Sequence, residues 1–297
     1  MSASADDHGA ARPFASHPLL GRIGNTPLIR LQRIWPAGGP VEVWLKAEGF
    51  NPGGSVKDRP ALYIVADALA RGLLQGRRLL DATSGNTGIA YAMIGAALGI
   101  GVTLCVPANA SSERHRILRA FGAEVVVTDP LEGTEGARRR AEELARQYPD
   151  RYWWADQYSN PANPRAHRET TGPEIWRQTA GRITHFVAGV GTSGTLMGTG
   201  RYLKERNPAV KVIGVEPAEA LHGLEGLKNM AAVEPPAIFD PSWLDGRLYV
   251  STEEAYGMVR RLAREEGILA GGSGGANVVA ALRVAAELRE GVVVTVL

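Results

Sequence analysis

Short runs rich in valine and leucine alternate along this chain with longer stretches whose apolar residues recur every three or four positions. VEVWLKAE (41–48) reads as a strand. PALYIVADALARG (60–72) reads as a helix that opens on Pro60 at its first position and stops at Gly72. Strand RRLLDA (77–82), helix NTGIAYAMIGAALG (86–99), strand GVTLCVPA (101–108), helix SSERHRILRAFG (111–122) and strand EVVVTD (124–129) follow, then a helix over 135–148. The second half repeats the rhythm. Strand YWWAD (152–156) leads through the loop YSNPANP to a helix over 165–179, strand THFVAGV, helix GTLMGTGRYLKER and strand VKVIGVEP. A loop-rich stretch over 218–245 precedes the helices TEEAYGMVRRLAREEG and ANVVAALRVAAELREG and the strand VVVTVL. Strands alternating with helices of this length predict an α/β fold of mostly parallel, twisted sheets flanked by helices, in two domains with a seam near 145–165.

Composition narrows the partners. Of the 297 residues, 44% are hydrophobic and 22% charged, with a net charge of +2, as in an ordinary soluble globular protein. The densest basic run, Arg138–Arg140, is interleaved with Glu135, Glu142 and Glu143, which reads as a solvated helix face and not as a nucleic-acid patch. The single cysteine, Cys105, excludes an intrachain disulfide and fits a reducing cytoplasm. The opening MSASADDHGAARPFA has neither a basic nor an apolar leader region, so residues 1–16 are expected to form a disordered tail. No apolar run reaches the roughly 18 residues of a membrane span. The histidines (His8, His17, His115, His167, His185, His222) show no metal-ligand spacing, and no metal is expected.

Three glycine-rich stretches follow predicted strands, where α/β proteins bind ligands: DATSGNTG (81–88), AGVGTSGTLMGTG (188–200) and AGGSGGAN (270–277). Gly189-Val-Gly191-Thr-Ser-Gly194 matches the dinucleotide pattern G-x-G-x-x-G, and Glu216 lies 22 residues on, as a ribose-binding acid would. The same residues read equally as a phosphate cup of backbone amides and hydroxyls at a helix N-terminus. Gly271-Gly-Ser273-Gly-Gly275 matches the G-x-S-x-G elbow, but no aspartate or histidine follows Ser273, and chain order excludes that hydrolase. Lys57, in NPGGSVKDRP (51–60), stands at a helix N-terminus, where the dipole lowers an amine pKa. A lysine able to form a Schiff base, beside a phosphate cup, suits pyridoxal 5′-phosphate.

With GNTPL (24–28), NPGGSVKDRPA (51–61), TSGNTGIA (83–90), QYSNPANP (157–164), TTGPEIW (170–176), GRITHFVAGVGTSGTLMGTGRYLKE (181–205) and EGILAGGSGG (266–275) in this order, the chain resembles the fold-type II pyridoxal-phosphate β-replacement enzymes. Within them it is most similar to the B-type cysteine synthases. The resemblance implies a tryptophan-synthase-β-like fold with residues 49–150 as one domain and 17–48 plus 151–297 as the other, the active site lying between them. It implies that Lys57 carries the cofactor and then removes the substrate α-proton. Gly191, Thr192, Ser193, Gly194 and Thr195 would hold the phosphate, Asn86 the 3′-oxygen, and Ser273 would face the pyridine nitrogen. Thr83, Ser84, Gly85, Thr87 and Gln157 would grip the substrate carboxylate. Lys228 falls where some relatives place a basic residue for O-phosphoserine. The implied reaction expels the β-substituent of O-acetylserine or O-phosphoserine to an α-aminoacrylate, to which a sulfur donor adds. A homodimer is implied. The same fold also hosts cystathionine β-synthases, diaminopropionate synthases, serine/threonine dehydratases and non-catalytic binding proteins. Two departures stand out: Ser193 replaces a glycine or threonine, and the sequence ends at VVVTVL where relatives continue into a tyrosine-bearing tail.

Overall fold

The computed structural model describes residues 12–297, in which the predicted alternation resolves into two sheets. The larger has six strands in the order β1 (Leu28–Arg30), β2 (Val41–Lys46), β10 (Gly291–Val296), β7 (His185–Gly189), β8 (Lys211–Pro217) and β9 (Gly246–Val250). Only β1 runs antiparallel to its neighbour. The smaller sheet is a parallel set of four, β5 (Glu124–Thr128), β4 (Val102–Pro107), β3 (Arg78–Ala82) and β6 (Tyr152–Trp154). Its central strand β4 is buried at every position, which is why it reads as an unbroken apolar run and not as an alternating one.

Helices cover both faces of each sheet. Helices α1 (Asp58–Ala70), α2 (Asn86–Leu98), α3 (Ser112–Ala120) and α4 (Gly133–Gln147) accompany the smaller sheet, and α7 (Gly194–Arg206), α8 (Thr252–Arg261) and α9 (Gly272–Ala286) the larger. Apolar cores form on each side: Ile64, Tyr91 and Ile94 on one face of the smaller sheet, with Ala137, Ala141 and Leu144 on the other. Between the layers runs a rod made of α5 (Ala162–Ala166), a π turn (His167–Thr171) and α6 (Gly172–Gln178). Helix α5 packs against both α1 and α7 and so ties the two layers together.

Four expectations need correction. The first helix begins at Asp58, not Pro60: proline, lacking an N–H, is tolerated anywhere in a first turn whose donors have no helical partner. Strands β1 and β9 were not expected; both are sheet edges, half exposed, without an apolar run. Strand β6 pairs with β3, so the smaller sheet draws on residues beyond 150. Within the expected tail, residues 12–16 are folded back onto the body: Arg12 donates to the Ile23 carbonyl at 3.3 Å, and Phe14 packs on the core under α1. Residues 1–11, with His8, lie outside the described residues.

Candidate active site

One cleft of about 560 Å³ opens between the layers at the carboxyl ends of β3 and β7. Every candidate position lines it: Lys57; Thr83, Ser84, Gly85, Asn86 and Thr87; Gln157; Gly191 to Thr195; Lys228; and Ser273. The helices explain the convergence. Helices α1, α2, α7 and α9 all begin at this cleft, behind Lys57, Gly85, Ser193 and Gly271, and none of these four cap positions supplies a side-chain cap. In α1 the Asp58 and Arg59 amides donate to the Ser55 and Val56 carbonyls at 3.3 Å and Pro60 has no N–H, but α2, α7 and α9 keep first-turn N–H groups for a ligand, and all four positive dipole ends meet here, which favours an anion in the cleft.

Lys57 lies at the foot of the cleft with no hydrogen-bond or ion-pair partner for its amine among the described residues, and burial pushes its ammonium below the usual lysine range. The stretch before it is shaped around its neighbour. The Gly53 amide donates to Asp58 Oδ2 at 2.5 Å, and a Cβ at Gly53 would sit 2.4 Å from Asp58 Oδ1. Gly53 is thus needed to seat Asp58, and Gly54, at φ +84°, closes the turn. Burial raises the Asp58 carboxyl to about 7.

The loop after β7 has the shape of an anion cradle. Ser193 adopts φ +70°, the left-handed region, between residues that turn into α7, and its buried hydroxyl finds no protein partner. A glycine there would avoid the strain. Asn163 ties the loop to Gln157, donating to the Gln157 carbonyl at 2.8 Å and to Thr192 Oγ1 at 3.1 Å. His167, in the π turn, meets Thr195 Oγ1 at 3.2 Å and Thr171 Oγ1 at 2.9 Å. Burial, with the charges of Arg59 and Lys57, holds His167 neutral, well below the usual histidine range. Gly194 abuts Asn163, and a Cβ at Gly191 would meet the Gly226 carbonyl at 2.1 Å. Gly191 therefore admits the backbone of the 218–230 loop beside the cradle. An unpartnered hydroxyl in a left-handed nest at a helix N-terminus, in the same cleft as a partner-free amine, fits a phosphate-bearing aldehyde such as pyridoxal phosphate.

Opposite it, the TSGNT loop is preset. Thr83 Oγ1 accepts from the Gly85 amide at 3.0 Å, Thr87 donates to Gln157 Oε1 at 2.8 Å, and Gln157 Nε2 donates to the Ala82 carbonyl at 3.0 Å. Glu216 points elsewhere. It is buried, accepts from the Met230 amide at 2.8 Å and pairs with Arg247 at 3.3 Å, so the dinucleotide reading loses its ribose ligand.

Behind Lys57 lies a charge cluster that neither spacing nor charge pattern announces. Arg59 forms bidentate bonds to Glu48 (2.7 and 2.8 Å) and to Glu174 (2.8 and 2.8 Å), and Lys46 reaches Glu174 at 2.7 Å. Asn51 and the amides of Gly24 and Asn25 complete the shell. Burial opposes ionisation of Glu174, but Arg59 and Lys46 outweigh it and hold its carboxyl down to about 2. The cluster pins GNTPL, NPGGSVKDR and TTGPEIW to one another.

The family described as pyridoxal-phosphate dependent enzymes matches residues 19–297. The chain is 54% identical over 297 residues to a cysteine synthase of Aquifex aeolicus, covering 98% of this chain and 91% of the relative. It is 46% identical over 276 residues to cysteine synthase B of Pseudomonas aeruginosa, covering 93% and 91%. The O-acetylserine sulfhydrylase isoform 3 of Entamoeba histolytica superposes with a TM-score of 0.87 at 36% identity, covering 95% of this chain and 87% of that one. Sequence similarity across nearly the whole length, together with a cleft built to receive a phosphate beside a free amine, means that the chain belongs to the pyridoxal-phosphate dependent enzymes, among the cysteine synthases.

Proposed function

We propose that this enzyme is a B-type cysteine synthase that makes L-cysteine from an activated serine and a sulfur donor, with Lys57 as its catalytic base. The observation that supports the reading best is the meeting of Lys57 with the N-termini of α2, α7 and α9, none of them closed by a side-chain cap, in one cleft. Bound pyridoxal phosphate supplies an electron-withdrawing ring that acidifies the substrate α-carbon and drives out the β-substituent. The loop Gly191–Thr195 holds its phosphate through amides and hydroxyls, and Asn86 and Ser273 orient the ring. The Lys57 amine, its ammonium disfavoured by burial, takes the α-proton at Nζ. Thr83, Ser84, Gly85, Thr87 and Gln157 receive the α-carboxylate without a fixed charge of their own. Serine in place of an acid at the ring nitrogen favours β-replacement over transamination.

Lys228 bears on the choice of donor. Its Nζ meets Glu135 Oε1 at 2.6 Å and lies 4.8 Å from the centre of the Tyr158 ring. A phosphate must compete with Glu135, so O-acetylserine is the expected donor. Lys228→Ala is expected to slow stopped-flow consumption of O-phosphoserine several-fold, the effect of about 1 kcal/mol from a partly exposed ion pair, and to leave O-acetylserine unchanged. Equal effects on both donors would remove Lys228 from the substrate site. The reading extends to a two-fold homodimer in the cytoplasm; a monomeric mass by light scattering at micromolar concentration would contradict the dimer. Among the described residues no helix is long and apolar enough to cross a membrane.

A further inference from the structure

Two ion pairs cross the mouth of the cleft from the smaller layer to the 218–230 loop: Lys228 with Glu135 of α4, and Arg114 of α3 with Glu225. The second pair is the more informative. Arg114 Nη1 and Glu225 Oε2 stand 2.5 Å apart, and neither side chain has another hydrogen-bond or ion-pair partner among the described residues. The guanidinium carbon of Arg114 lies 3.8 Å from where a Cβ of Gly85 would be, directly against the TSGNT loop. A Cβ at position 85 would rest in ordinary van der Waals contact with it. That loop offers amides and hydroxyls, and Arg114 places a full positive charge beside them. Glu225 therefore delivers a carboxylate of the protein itself to the edge of the surface meant for a substrate carboxylate. Its side chain is 62% exposed, and that of Arg114 25%, so the bond is weak and open to exchange.

We infer that Arg114 is a substrate-binding residue that trades Glu225 for the α-carboxylate of the entering amino acid. The exchange replaces one of the two bridges between the 218–230 loop and the smaller layer with a contact to the substrate. Glu225 acts as a built-in competitor: it sets how much free amino acid is needed to fill the cleft and discriminates against ligands without a carboxylate. The inference rests on the cysteine synthase reading.

The test titrates the holoenzyme with L-serine and with L-serine methyl ester, following the cofactor absorbance. Glu225→Gln, which removes the competitor, is expected to tighten L-serine binding about two- to five-fold, and Arg114→Met to weaken it by a similar factor. Arg114→Lys restores part of the loss, and the double variant behaves as Arg114→Met does. Added salt narrows the gap between wild type and Arg114→Met. The ester constant stays the same in all variants. An L-serine constant that Glu225→Gln leaves unchanged, or ester constants that move in parallel with those of serine, would overturn the exchange and reduce the pair to a structural contact. A wild-type holoenzyme whose absorbance ignores L-serine altogether would instead overturn the enzyme reading beneath it.

Discussion

Lys57→Ala protein is expected to fold, to melt within a few degrees of wild type, and to make cysteine about 10²- to 10⁴-fold more slowly, the range for loss of a positioned general base. The stability half of this expectation follows from the geometry. The Lys57 amine has no partner among the described residues, so truncating it strands no buried group, and its backbone still stands at the start of α1. The activity half follows from its place in the cleft that the Ser193 cradle also lines. Lys57→Arg is expected to be no better than alanine, because a guanidinium stays protonated and cannot accept the α-proton. Turnover from O-acetylserine and a thermal melt of the same preparations check both halves. A Lys57→Ala enzyme retaining a tenth of wild-type activity would remove the base from the mechanism.

The second large effect lies behind the site. Glu174→Ala leaves Arg59 and Lys46 buried with half of their counter-charge gone and is expected to cost about 3–5 kcal/mol of stability. The cluster also fixes the acid limit of the fold. The Glu174 carboxyl is held at about 2 against an ordinary 4.5, so its contribution is complete above pH 4.5 and is lost as pH falls from 4.5 towards 2. The gap is worth about 3 kcal/mol. Asp58 has the opposite sign: raised to about 7, it weakens the fold as pH climbs from about 4 to 7. Urea midpoints measured from pH 2 to 8 are expected to rise steeply across the acid window in wild type and to lose most of that rise in Glu174→Ala. An unchanged acid limb would mean that the cluster is not what holds these segments together.

How much of this was legible in the sequence depends on whether the signal is local. Strands such as β4 and β10 are buried along their length and announce themselves as apolar runs. The edge strands β1 and β9 do not, because pairing with distant partners makes them strands and their own residues are half exposed. The glycine loops were readable as ligand loops because small residues at helix starts have few other uses. Their individual reasons were not: Gly53 makes room for Asp58, and Gly191 for the backbone of Gly226. Asn163 sat inside a recognised motif and His167 between two of them, both without an assigned task, since holding a hydroxyl of the cradle is a contact across 29 or 28 residues of sequence. Lys46, Glu48 and Arg59 looked like ordinary polar positions beside apolar ones. Only the fold, which brings the start of α1 up to Glu48 after β2 and to Glu174 in the connecting rod, buries them together. Arg114 likewise reads as one arginine among several on an amphipathic helix until Gly85 and Glu225 come up against it.

The central claim is that Lys57 and the Gly191–Thr195 cradle together hold pyridoxal phosphate. Borohydride reduction of the purified enzyme followed by peptide mass mapping tests it most directly. The account predicts a yellow protein that bleaches on reduction and carries one pyridoxyl group on the peptide containing Lys57. A pyridoxyl group on Lys46 or Lys228 instead, or a colourless protein that reduction leaves unmodified, would contradict it.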